Sequence, residues 1–542
     1  MNTDQFKSAP SNLVSLGVIT LLVLLTHFPL LFPGQIINPD AQYIFPILES
    51  VTGPLDYLAK LSHYETLDFQ PVRDLSLFVD LLVYRETGVV ISVFLNCLFW
   101  IGGCFLVWRL IQETIKDDGR SLLLTLSFAV YPIFGQALNW GIARKHILAF
   151  FFTTWATLFL FRWVKEQRGE FKICLLYTLS VLSLPVSMLW PLWAMFYVYV
   201  YHPELKARFK KPAIFLCTLA LLLIYINWSY YKTSLTFLEI YSKKENSLNL
   251  LAIFVALGHY TKQFLFPYQL AFSYTYDNLS VAGLGVFFVL AAVFLLRKNK
   301  EKREWIWVAF SAVHLMVLLS SPRIYFDTYV LLPGLGVLML LALLTRNWQP
   351  RRFHWLVIPI LIWGGFSLRD SFPWKEKSSY YENNYKRDQN CTSAMSYAVN
   401  LYFLDRPIPP ELYAFIQENS CTQLQKDMTQ NSMIWTMTFE AIQLLKENEI
   451  DLDYRLSRLQ ELGSKNYIPM LIYACLLAEL DRENELEEVM RNLNRSFRGN
   501  DMVIGYHPIY SEILPAYCQE NQLRECLEFT KRFLPKQKEP FL

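Results

Sequence analysis

"ARKHILAFFFTTWATLFLF", residues 143–161, opens on Arg144, Lys145 and His146 and then runs without a charge to Phe161. A helix needs about 20 apolar residues to cross the hydrocarbon core of a bilayer, and this stretch begins such a crossing. Runs of the same kind recur at 12–32, 89–111, 121–138, 147–163, 172–188, 190–201, 212–229, 279–296, 305–320, 328–345 and 354–369. By length they make about eleven spans, with 190–201 the weakest. A chain of 542 residues that is 53% hydrophobic and 16% aromatic is too apolar for an ordinary soluble enzyme. It reads as an all-α polytopic membrane protein.

Charge position orients the spans. The net charge of +3 is near neutral and marks no nucleic-acid partner. The junctions 162–172, 202–211, 297–304 and 346–352 are strongly basic, and all fall on one side when the N-terminus is cytoplasmic. The opposite, extracytoplasmic side then receives the loop 33–88, the turn 139–146, the loop 230–278, the turn 320–327 and everything after about residue 370. Pro185 and Pro191 leave a second reading of 172–201 open, as one re-entrant hairpin. The first span lacks a basic leader and a small-residue cleavage site, so it reads as a retained anchor. The expected setting is multi-pass in a bacterial inner membrane or an ER-like membrane.

The expected division is a transmembrane domain over 1–370, a linker over 371–390 and an external helical domain over 391–542. Residues 466–495 read as two helices about a polar turn at Asp481 to Asn484, and residues 509–534 repeat the plan with a turn at Glu520 to Gln522. Adjacent hairpins of this size resemble degenerate tetratricopeptide-type repeats, which stack to bury their faces and offer a surface to a protein partner. An irregular helical bundle is the alternative. Of the nine cysteines, Cys391, Cys421, Cys475, Cys518 and Cys526 lie in this domain. Their spacing fits no metal site, and the candidate disulfide in an oxidising compartment is Cys391 with Cys421.

The external loops carry an unusual set of charges. "IINPDAQYIF", residues 36–45, places Asp40 at the outer mouth of the first span, and "SHYETLDFQPVRDLSLF", residues 62–78, adds His63, Glu65, Asp68, Arg73 and Asp74. Arg144, Lys145 and His146 stand where the next cluster enters its span, against the positive-inside tendency, which suggests an anionic partner there. "GHYTKQFLFPYQLAFSYTYD", residues 258–277, brings His259 and Lys262, and Arg323 and Asp327 enter a further span. Taken singly, each cation reads as an ordinary anchor snorkelling to lipid headgroups. Four cationic clusters on one face are harder to explain that way.

In this order the motifs resemble the C-type (GT-C) membrane glycosyltransferases, in the branch with tetratricopeptide repeats after the spans that includes the transmembrane-and-tetratricopeptide O-mannosyltransferases. Asp40 sits where that family keeps an acidic motif. "QPVRDLSLFVDLLVY" (70–84) is similar to its Arg-Pro segment, and "ARKHILAFFFTTWATLFLF" to its Gly-Arg-Lys/Ala-Asp-leucine span start. "HYTKQFLFPYQLAFSY" (259–274) resembles its leucine-rich loop, and "RIYFDTYVLLPGLGVLMLLA" (323–342) its Arg-Tyr-leucine-proline-glycine segment. Three positions depart from the pattern: a single Asp40 follows Pro39 in place of a pair of aspartates, Arg73 follows Pro71 with Gln70 before it, and His146 replaces an acidic residue.

The resemblance implies that a sugar passes from a polyprenyl-phosphate carrier in the membrane lipid to a protein or glycan acceptor at the outer face. Cations at the leaving phosphate lower the barrier. Arg144, Lys145, Lys262 and Arg323 are the candidates, with His63, Arg73 and His259 as further substrate-binding residues. A carboxylate at the anomeric carbon takes the acceptor's proton, giving inversion in one displacement; Asp40 is the candidate, and Glu65 and Asp68 stand in reserve. No metal or cofactor is expected, the lipid-linked sugar being the donor substrate. Two other classes remain: an inactive membrane scaffold or assembly factor that binds a partner through its repeats, and a lipid-linked-sugar transporter. The latter needs a polar path through the spans, where His27 and His314 are the main exceptions to an apolar lining.

Overall fold

The computed structural model describes chiefly residues 9–31, 69–87, 91–234, 250–267, 303–315, 327–346, 354–375, 377–387, 391–403, 406–419, 451–463 and 467–496, with short pieces between. Asp40, His63, Glu65, Asp68, Arg323 and most of the hairpin expected over 509–534 lie outside the described residues. The chain divides into two compact units, one of residues 1–33 with 68–375 and one of residues 34–67 with 376–542.

The first unit is helical. Its elements are α1 (Ala9–Thr26), α2 (Phe28–Leu31), α3 (Pro71–Thr87), α4 (Ser92–Ile115), α5 (Asp118–Ala129), α6 (Gly135–Asn139), α7 (Arg144–Glu166), α8 (Glu170–Ser183), α9 (Trp190–Tyr201), α10 (Lys206–Ser234), α11 (Leu250–Leu265), α12 (Arg303–Leu315), α13 (Leu331–Leu344) and α14 (Val357–Ser371). A two-residue antiparallel ladder joins β1 (Tyr274–Thr275) to β2 (Ile324–Tyr325). Among the described residues three helices are long and apolar enough to cross a membrane, Ser92–Ile115, Arg144–Glu166 and Pro203–Ser229. A fourth is added when Asp118–Ala129 and Pro132–Asn139, bent by 52°, count as one span. The break falls at Pro132, whose ring cannot continue the preceding helix. Asn12–Thr26 and Leu331–Leu344 are shorter apolar helices.

Described residues of the junctions 162–172, 202–211 and 346–352 gather at one end of these helices. Glu113 of α4 pairs with Lys165 at 2.5 Å and Arg162 at 3.7 Å. Arg208 reaches the Gln167 side chain at 2.6 Å and Glu170 at 3.6 Å. At the start of α5 the Asp117 side chain caps the helix by accepting the Arg120 backbone N–H at 2.9 Å. The Arg120 guanidinium then donates to the carbonyls of Thr345 and Trp348, at 3.0 and 2.9 Å, and to that of Arg346. Carbonyls just past a helix C-terminus carry the negative end of its dipole, so a buried guanidinium is their natural partner.

From this basic end α8 leaves and α9 returns. Ser180 bonds the Thr153 hydroxyl at 2.7 Å and the Ala149 carbonyl at 3.0 Å, and the Trp190 indole donates to Thr157 at 3.0 Å. The two helices have 14 and 12 residues, about 21 and 18 Å at 1.5 Å per residue, each short of a full crossing. With the turn at Pro185–Leu189 between them they form a helical hairpin. Packing is tight at Gly102 and Gly103 of α4, where an added Cβ would stand 2.9 Å from the Phe151 ring and 2.8 Å from the Phe150 ring of α7. Small residues let the two backbones approach, and Trp100 fills the adjacent space against Phe128, Phe134 and Phe150.

The second unit is also helical where it is described: α15 (Lys377–Arg387), α16 (Cys391–Phe403), α17 (Pro410–Glu418), α18 (Leu452–Gly463), α19 (Tyr467–Glu479) and α20 (Glu483–Ser496). Residues 377–387 of the expected linker are thus helix, and α15 packs on α16. Cys391 and Cys421 form a disulfide. The expected turn after residue 480 is present, with Asp481 at φ 53 and the Arg482 N–H on the Leu477 carbonyl. That is the left-handed helix stop which Asp tolerates better than most residues. The helices α18, α19 and α20 pack in sequence order, with residues 471–478 of α19 buried.

Candidate functional site at the far end of the helices

Opposite the basic end, described pieces of three segments that the sequence assigns to one face come together, around 139–146, 258–275 and 324–330. The ladder of Tyr274–Thr275 with Ile324–Tyr325 ties the loop after α11 to the turn before α13. The His146 ring, at the start of α7, meets Tyr329 edge-on with centroids 5.3 Å apart. Tyr131 donates to the Phe264 carbonyl near the end of α11 and stacks on its ring at 5.4 Å. A Cβ on Gly334 would lie 2.9 Å from Phe134 and 3.4 Å from Phe264, so glycine is required for α13 to fit against both.

At the centre stands Arg144, fully buried. Its Nε donates to Asn96 Oδ1 at 2.8 Å, and one terminal nitrogen serves Asp80 Oδ1 and the Ser76 carbonyl, both at 2.9 Å. The other serves Asp80 Oδ2 at 2.6 Å and the Ser92 carbonyl at 2.8 Å. A guanidinium has five N–H donors, and these five bonds use them all. Ser92 adds a hydroxyl to Asp80 Oδ2 at 2.6 Å. Asn96 in turn donates to the carbonyls of Leu138 and Trp140, each at 3.1 Å, and of Ala137 at 3.4 Å. One guanidinium, one carboxylate and one amide therefore lock α3, α4 and the turn 137–140 to the head of α7. Asp80, Asn96 and Ser92 are absent from the residues selected on sequence, although an aspartate set among Phe78, Val79, Leu81 and Leu82 calls for a buried cationic partner.

The sequence-selected residues separate accordingly. Arg144, expected as a carrier ligand, has all five of its donors engaged by protein acceptors in this structure. Arg73 is buried too, 2.7 Å from Asp74 and bonded to the Gln70 side chain at 2.9 Å. Lys145 is half-buried beside the brace, and Lys262 is exposed on α11. His259, one helical turn before Lys262, has a pKa pushed down to about 4 by burial and by the Lys262 charge. Among the described residues no group of His, Cys, Asp and Glu could hold a metal ion. Comparison with known proteins finds no matching family model, no matching curated protein and no matching solved structure.

Proposed function

We propose that this chain is a polyprenyl-phosphate-sugar-dependent glycosyltransferase that transfers a sugar to an acceptor at the extracytoplasmic membrane face, with its N-terminus cytoplasmic, about eleven spans and a repeat-type domain outside. The observation that carries the reading is the meeting of the segments around residues 139–146, 258–275 and 324–330 at one end of the apolar helices, away from the basic junctions. A donor whose tail lies in lipid and whose phosphate lies at the headgroups needs cations at that level. Lys145, Lys262 and Arg323 are the ones proposed. A carboxylate beside the anomeric carbon, Asp40 with Glu65 and Asp68 in reserve, stabilises the positive charge developing there and can accept the acceptor's proton.

The commitment of Arg144 to protein partners favours the inactive scaffold as the second reading. Mass spectrometry of lipids and glycans that co-purify with the full-length protein tests both. A bound polyprenyl phosphate supports transfer; a bound protein with no such lipid supports the scaffold.

A further inference from the structure

The head of α10 carries its cations on one side and its packing residues on the other. Leu205, Phe209, Ala213 and Leu216 are buried, and the Phe209 ring lies against Trp163 of α7 with centroids 5.3 Å apart. That stripe fixes the rotation of the helix, so Lys206, Lys210 and Lys211 are exposed, and Ile214 and Phe215 are exposed one turn further on. The surface changes from ammonium groups to bare hydrocarbon between residues 211 and 214, within about 5 Å at 1.5 Å per residue. In a helix that crosses a membrane, such a change marks the level of the headgroups. The head of α8 shows the same change: Arg168 and Lys172 are exposed, and so are Phe171, at 76%, and Leu175. The Lys172 ammonium lies over the Phe159 ring of α7 at 5.2 Å.

Arg208 joins the two heads. Its terminal nitrogens donate to Gln167 Oε1 at 2.6 Å and to the Gln167 carbonyl at 2.8 Å, and its Nε is 3.6 Å from Glu170. Segments 165–172 and 202–211 therefore form one surface, with seven Lys and Arg against three Glu. Glu170 already accepts the Trp163 indole at 2.8 Å, and Glu204 is 3.5 Å from the His202 ring. Even with all three carboxylates paired inside the patch, seven cations less three anions leave four positive charges for an outside partner.

The partner must be anionic at one level and apolar immediately beside it. A soluble anion would satisfy the cations and leave Phe171 and Ile214 bare, and a neutral lipid would do the reverse. We infer that the corner between the heads of α8 and α10 holds an anionic phospholipid of the leaflet at the basic end, its headgroup phosphate on Lys206, Lys210 and Lys211 and its acyl chains along Phe171 and Ile214. The inference does not rest on the transferase reading, and it places this lipid at the opposite end of the helices from the residues proposed for transfer.

The test uses the full-length protein in nanodiscs of phosphatidylcholine with a minority of phosphatidylglycerol. Native mass spectrometry counts the lipids that stay bound on release, and titrated phosphatidylglycerol gives the affinity. The parent is expected to retain phosphatidylglycerol in preference to phosphatidylcholine, with an affinity that falls as salt rises. One Lys at the membrane surface is worth about fivefold, so Lys210→Gln is expected to lose about that factor, and Lys206→Gln, Lys210→Gln and Lys211→Gln combined about tenfold or more. Lys116→Gln removes an exposed charge at the same end, on the C-terminus of α4, and is expected to leave the affinity unchanged. Equal retention of both lipids by the parent, or parental affinity in the triple variant, overturns the inference. Equal losses in Lys210→Gln and Lys116→Gln overturn it in favour of a diffuse surface potential. Displacement of the lipid by inorganic phosphate, where chloride at the same ionic strength has no effect, overturns it in favour of a soluble anion. A polyprenyl phosphate that outcompetes phosphatidylglycerol in the parent but not in the triple variant overturns it in favour of the carrier. If the triple variant does not insert, Lys210→Gln against Lys116→Gln decides.

Discussion

Replacing Asp80 by alanine removes the counter-ion of a guanidinium that has no contact with water. The carboxylate accepts two bonds from Arg144 and one from Ser92, with side-chain exposures of 0% for Arg144 and 3% for Asp80. Two Arg144 donors and the Ser92 hydroxyl lose their acceptor while the positive charge stays buried. Breaking such a pair from one side costs about 3–5 kcal/mol, against about 1 kcal/mol for an ordinary hydrogen bond. Replacing both partners by apolar residues, Asp80→Leu with Arg144→Met, removes the charge as well. The double variant should therefore be more stable than the sum of the singles by about 2 kcal/mol or more, near the upper part of the range for contacting residues. The assay is reversible unfolding of the purified protein in mixed micelles, with Asp80→Ala, Asp80→Leu, Arg144→Met and the double measured together. A single Asp80→Ala loss below about 1 kcal/mol, or additivity within about 0.5 kcal/mol, would show that the network contributes no more than surface pairing and would refute the brace.

Arg120→Ala should uncap the C-terminal carbonyls of α13 and lower stability by about 1–3 kcal/mol, read in the same unfolding assay, with Arg120→Lys recovering only part because one ammonium cannot reach carbonyls spread over residues 345–348. Reduction, or the pair Cys391→Ser and Cys421→Ser, should destabilise the second unit by roughly 3–4 kcal/mol for a 30-residue separation; thiol labelling on intact cells should find both cysteines protected until a reductant is added. His259, whose folded pKa is about 4 against an ordinary 6.5, binds its proton more readily in the unfolded chain. Its contribution to stability is therefore full above pH 6.5 and lost as pH falls toward 4, and His259→Gln should flatten melting temperature against pH across that window. Neutralising Lys145, Lys262 or Arg323 to Gln should weaken binding of a polyprenyl phosphate most at low salt, and no change at all three positions would leave them as headgroup anchors.

The helical class, the three or four apolar helices of membrane-crossing length among the described residues, the stop at Asp481 and the Cys391–Cys421 pair were legible in the sequence, because each follows from local spacing or composition. Charge position was equally informative: Lys165, Arg208 and the carbonyls capped by Arg120 meet at one end, as the basic junctions required. The role of Arg144 was not legible. A cation at the head of a span reads the same whether it faces a phosphate or a carboxylate 64 residues away, and only the fold brings Asp80 to it. Asn96 was missed for the same reason, since a neutral amide inside an apolar run reveals its partners only in three dimensions. The break between α8 and α9 at Pro185–Leu189 follows from Pro185, which the sequence already marks as an interruption of the apolar run.

The most direct test of the central claim is single-turnover sugar transfer by the full-length protein in lipid nanodiscs, supplied with a panel of labelled polyprenyl-phosphate sugars and with bound carrier quantified separately. The account predicts transfer from at least one donor, and a fall of on the order of 10²–10⁴ in Asp40→Asn with carrier binding near normal. Absence of both binding and transfer across the panel, in protein that retains its fold, would contradict it.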